Sequence, residues 1–175
     1  MRPANPIYGE VIARTLNYNA QQNLPASYES RWMDAERIDM RGLLEGFQAF
    51  WRENSEAWVE RFEYKEAAPH LILMAFLQRV LNGGADLARE FATGTRRVDL
   101  CVTYAERRYP IELKILRGEK SRAEGLRQLA DYIDKLGVDE GWLVLFDPTP
   151  GKSWDERIYW QTHEAEGHRL HLVGA

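Results

Sequence analysis

Three side chains have the types and spacing for chemistry: Asp99, Glu112 and Lys114. Twelve residues intervene between the two acids, and Glu112-Leu113-Lys114 puts a carboxylate and an ammonium on one strand face, because side-chain direction repeats every two residues. If the strands holding them pair, Asp99 approaches Glu112, and two carboxylates without a cation repel each other or shift a pKa upward. A divalent metal resolves that conflict. Magnesium suits such a set, with manganese as its expected substitute, since it prefers oxygen ligands, needs few carboxylates and keeps several waters.

Solvent-facing polar alternation gives the same spacing, so the surrounding elements decide. Val98, Leu100 and Val102 alternate with Asp99, Cys101 and Thr103, and Ile111, Leu113 and Ile115 alternate with Glu112 and Lys114, which predicts strands with one apolar face. Ala105 to Arg108 closes the hairpin between them. A helix follows over about 120–136, with Leu126, Leu129, Ile133 and Leu136 on one face and Gly137 just past its end. It also carries Gln128 and Tyr132, four residues apart and therefore on a common face. Trp142 to Phe146 reads as a buried strand, and shorter β-rich stretches surround Tyr159 and His171.

Upstream, Leu43, Leu44, Phe47, Phe50, Trp51, Trp58, Val59 and Phe62 mark an amphipathic helix over about 42–64, with a break expected near Asn54-Ser55. A second helix spans about 66–81, stopped by Asn82-Gly83-Gly84. Residues 1–41 lack sustained periodicity and read as a packed arm. The expected division is an arm and amphipathic helix over 1–63 and an α/β domain over 64–175.

The single cysteine, Cys101, excludes an internal disulfide framework and a cysteine-rich zinc site, and fits a reducing, cytoplasmic compartment. Apolar stretches such as Leu71 to Phe76 fall far short of the ~20 residues a membrane span needs, so no membrane partner is expected. The net charge is −4, but residues 96–135 carry ten basic and seven acidic side chains, a local net of +3. That segment permits a nucleic-acid partner without identifying one.

Together these residues resemble the PD-(D/E)XK nuclease superfamily. The resemblance rests on Asp99, on Glu112-x-Lys114, and on Gly94-x-Arg96-x-x-Asp99 leading to the first acid. It implies a restriction-endonuclease-like α/β core, ordered αβββαβ, behind an N-terminal helical extension, with Arg89-Glu90-Phe91 on the first core strand. It also implies a metal site of Asp99, Glu112 and the Leu113 carbonyl, joined by the helical Glu66, with Lys114 orienting water or stabilising charge. Gln128-x-x-x-Tyr132 resembles the Q-x-x-x-Y motif of RecB-like members, which implies a positioning role at the active site.

A closer resemblance covers nearly the whole chain. Asn5-Pro-Ile-Tyr8, Phe47-Gln-Ala-Phe-Trp-Arg52, Tyr64-Lys-Glu-Ala67, Phe76-Leu-Gln-Arg79, Ile111-Glu-Leu-Lys114 and Gly141-Trp-Leu-Val-Leu-Phe-Asp147 look like the C-terminal region of bacterial AAA-type ATP-binding proteins. It implies an ATPase module upstream in a longer parent protein. The expected activity is metal-dependent hydrolysis of nucleic acid, with DNA the expected class. A catalytically silent docking module of the same fold is the alternative. Arg96, Arg97, Arg117, Lys120, Arg122 and Arg127 are candidate phosphate contacts, and solvated pairs of several of them with Glu119, Glu124 and Asp131 are the alternative.

Other motifs carry less. Gly151-Lys152-Ser153 lacks the leading glycine of a phosphate-binding loop, because Phe146 stands at that position. His163, His168 and His171 have no accompanying cysteine and read as surface or strand-end residues. Ser121, Ser153 and Cys101 lack the setting of a hydrolase nucleophile.

Overall fold

The computed structural model describes residues 31–59, 68–81, 84–93, 96–165 and 167–175. Helix α1 runs Met40–Val59 and α2 runs Ala68–Val80. Three strands follow, β1 (Asp86–Thr93), β2 (Arg96–Tyr104) and β3 (Arg107–Ile115). Then come α3 (Glu119–Leu136), β4 (Glu140–Phe146), the short α4 (Trp154–Arg157), β5 (Tyr159–Ala165) and β6 (His168–Gly174). The strands form one mixed sheet ordered β1-β2-β3-β4-β6-β5. Hairpins join β1 to β2, β2 to β3 and β5 to β6, whereas β3 to β4 and β4 to β6 are parallel.

Helices lie on both faces of the sheet. On one, Leu43, Phe47 and Trp51 of α1 and Leu73, Phe76 and Leu77 of α2 share a core with Leu100, Ile111, Leu113, Val144 and Phe146. On the other, Leu129 and Ile133 of α3 pack on Leu143, Leu145, Leu170 and Leu172. Strand alternation divides β3 between the two layers: Ile111 and Leu113 enter the first core, so Glu112 and Lys114 face the α3 side. Burying each large side chain of this kind contributes roughly 1.5–3 kcal/mol. Phe47 is central, with its ring 5.5 Å from Phe76 and 6.1 Å from Phe146, both edge-on. Next to it the buried Gln48 donates its side-chain amide to the carbonyls of Gly174 and Tyr159, tying α1 to the far hairpin.

Most of the expected elements are present, with three differences. Helix α1 continues unbroken through Asn54-Ser55, because Ser55 is buried and the Asn54 amide donates back to the Phe50 carbonyl at 2.8 Å, within the helix. The β2–β3 hairpin closes on Ala105 and Glu106 alone, both with positive φ (46° and 64°), the conformation that suits a two-residue turn between twisted strands. Val98 does not join Leu100 and Val102 in the first core but packs with Cys101 and Tyr132. That departure occurs beyond the last β2–β3 pair. The boundary expected at 63/64, the start of the second helix and most of the N-terminal arm lie outside the described residues. No helix among those described is long and apolar enough to cross a membrane.

Candidate active site

The site arises where β2 leaves β3. The two strands pair from Tyr104↔Arg107 to Leu100↔Ile111 and no further, while β3 stays paired with β4 from Ile111↔Trp142 to Ile115↔Phe146. The Leu113 N–H, which another antiparallel pair would have used, donates instead to Asp99 Oδ2 at 2.9 Å. A strand residue presents its N–H and C=O to the same edge. Hence the Leu113 carbonyl also faces the opening beside Asp99.

Glu112 is 3% exposed, and its Oε1 receives the Lys114 ammonium at 2.9 Å. Its Oε2 is buried with no hydrogen-bond partner. Burial, and secondly the negative charge of Asp99, push the Glu112 pKa up to about 7 against the opposing pull of Lys114 and, less, of the Asp99 backbone N–H. The conflict expected of two acids forced together is thus present but second to burial, and the ammonium offsets only part of the shift.

Helix α2 contributes a residue that the motif analysis passed over. His70 is partly buried with its Nε2 enclosed and unpartnered, and its ring centroid lies 5.9 Å from that of Phe146. Burial lowers its pKa, while it feels the charges of Asp99, which raises it, and of Lys114, which lowers it further. The sequence signal was slender: one imidazole in the apolar run Ala68 to Leu77.

Helix α3 covers the site from the other side of the sheet. Tyr132 is buried against Val98 and Cys101, next to Asp99 on β2. Gln128 is half-buried, with Oε1 enclosed and unpartnered. Arg122 donates to Gln161 at 2.5 Å, and Arg127 lies 3.9 Å from Asp131 one turn along the helix. The Arg117 N–H donates to Ser121 Oγ, which in turn donates to the Gly118 carbonyl, so Ser121 secures the helix entry. Lys120 is exposed. Glu66 and Gly94 lie outside the described residues; Arg96 and Arg97 begin β2, paired with Thr93 and Ala92.

The remaining motifs are structural. His171 is held by Thr162 at 3.0 Å and Glu140 at 3.2 Å and stacks on Trp142, so both ring nitrogens are engaged. His163 is exposed, and His168 is partly buried at the start of β6. Lys152 binds Asp147, and both the N–H and the hydroxyl of Ser153 donate to Glu156, which caps α4. Cys101 is fully buried, and burial raises its thiol pKa.

The donor set fits a small hard cation. It comprises two carboxylates and a carbonyl, all oxygen, with one carboxylate oxygen buried and unpartnered. Among the described residues no three His, Cys, Asp or Glu side chains gather into a metal-holding group. Such a cation would therefore keep much of its water. No family model matches the chain, and no curated protein matches it.

Proposed function

We propose that this chain is a divalent-metal-dependent nuclease domain of the PD-(D/E)XK type, hydrolysing phosphodiesters in nucleic acid, with DNA the expected substrate. One observation carries the reading: Asp99 and Glu112 meet at the fork between β2 and β3, with the Lys114 ammonium against Glu112 and one Glu112 oxygen unsatisfied. The order helix, three strands, helix, strand from α2 to β4 supports it.

Asp99, Glu112 and the Leu113 carbonyl would hold magnesium or manganese, which when bound supplies Lewis acidity toward the phosphate and lowers the pKa of water. Asp99 is already oriented by the Leu113 N–H, so little reorganisation is needed on binding. Lys114, with its side chain 26% exposed, reaches solvent from a half-buried stem and offers a localised charge to the developing negative transition state. His70, which feels the charges of Asp99 and Lys114, is a candidate positioning group together with Gln128 and Tyr132 of α3, and Arg117, Lys120 and Arg122 near the start of α3 are candidate phosphate contacts. The sequence runs that resemble AAA-type proteins are the sole ground for proposing an upstream ATPase module in a longer parent.

A silent docking module of the same fold is favoured by two facts: the net charge of −4 and the presence of only two described carboxylates at the fork. Purified protein incubated with labelled DNA and RNA, with and without magnesium or manganese, separates the two. Metal-dependent cleavage is the expected result. No cleavage with any divalent metal would leave the docking reading.

A further inference from the structure

A glycine inside a helix costs about 1 kcal/mol relative to alanine, so Gly125 in the second turn of the 18-residue α3 calls for a reason. Its φ is not among the positive values, so backbone freedom is not that reason. Close approach is. A Cβ at Gly125 would stand 2.8 and 3.0 Å from the two δ carbons of Leu143 and 3.2 Å from Cγ of Lys114. Leu143 is fully buried with Leu129 and Ile133 and paired in register with Glu112, so its δ carbons shift only against that core. The partly exposed lysine stem is the neighbour freer to move. A change at its Cγ is amplified along the three bonds leading to the ammonium that sits 2.9 Å from Glu112. Gly141 shows the contrast: the nearest atoms to a Cβ there belong to Leu129 and Ile133.

From this geometry we infer that Gly125 is a positioning residue, whose missing side chain leaves the channel in which the Lys114 stem lies and so sets its ammonium on Glu112. The inference rests on the nuclease reading for its catalytic consequence, but the placement itself can be tested without activity.

The test compares the parent, Gly125→Ala and the pair Gly125→Ala/Leu143→Val, in which loss of both δ carbons gives the new methyl room on the core side. Lys114 is labelled with an acylating reagent and its rate is read by mass spectrometry, beside kcat and KM on DNA with manganese. Gly125→Ala should label roughly fivefold faster, the factor for ~1 kcal/mol of lost ion pairing, with kcat reduced and KM unchanged, and the pair should return toward the parental rate. A purely packing role for Gly125 would move melting temperature but not this rate. Parental labelling in folded Gly125→Ala overturns the inference. Faster labelling in a protein that cleaves nothing keeps the placement and removes the nuclease reading. If Gly125→Ala does not fold, Gly125→Ala/Lys114→Ala, which lacks the stem's Cγ, should fold; its failure to fold as well overturns the inference.

Discussion

The Leu113 amide donates to the Asp99 carboxylate at 2.9 Å, across the point where β2 and β3 stop pairing. One acid thereby replaces a ladder hydrogen bond and is held facing the other. Removing it would leave a part-buried N–H without its partner as well as delete a charge.

Calorimetric titration with manganese should show binding to the parent that is lost in Asp99→Ala and Glu112→Ala. The two carboxylates and the unpartnered Glu112 oxygen motivate this expectation. Unchanged binding in both variants would take the metal away from these residues.

Glu112 gives the apo protein a pH signature. Its folded pKa of about 7 lies above the ordinary value of 4.5, so between those values the folded state keeps a proton that the unfolded chain has released. Stability from this group is therefore full below about pH 4.5, falls as pH rises through 7 and is then constant, a change of about 3 kcal/mol. Urea denaturation at pH 5 and pH 8 should show that loss, and Glu112→Gln should abolish it. Saturating manganese should flatten the slope, since the cation favours the ionised form. Equal slopes in parent and Glu112→Gln would refute the assignment.

Leu73 and Leu77 of α2 are fully buried in the core shared with the sheet. Leu73→Asp and Leu77→Asp should each cost several kcal/mol by burying an unpaired charge. Parental melting temperatures in both would contradict the packing described.

Lys114→Met keeps most of the stem's bulk and removes the charge. Folding and manganese binding should persist, while kcat at saturating substrate falls at least about tenfold, equivalent to ~1.4 kcal/mol of barrier. A parent that cleaves and a variant that cleaves equally fast would end the role given to this lysine.

Much of the scaffold was legible because period reports burial directly. The alternation of Ile111, Leu113 and Ile115 against Glu112 and Lys114 gave the strand and its two faces, and Gly137 ended α3 in the left-handed conformation with φ 64°. Spacing brought Asp99 near Glu112, yet it could not show that Asp99 takes the Leu113 N–H, because that depends on where two strands part. Gln128 and Tyr132 share a helical face in sequence. The fold uses Tyr132 as a buried side chain against Cys101, and only tertiary packing distinguishes that from an open one. His70 escaped notice since its approach to Asp99 and Lys114 joins segments far apart in the chain.

The two-residue turn at Ala105–Glu106 makes the site sensitive to chain length. Tyr104 and Arg107 already pair, so the loop has no slack. A third turn residue is absorbed by a bulge beside that pair, by opening the pair, or by sliding β3 one step along β2. Sliding would rotate Glu112 and Lys114 into the layer now filled by Ile111 and Leu113, and expose those apolar chains to the α3 side. Exposed loop tips ordinarily tolerate insertions best. Here a single inserted codon at an outer turn that slid the register would exchange the chemical and the hydrophobic faces of a central strand, so the cost of lengthening this tip depends on whether a bulge takes up the extra residue.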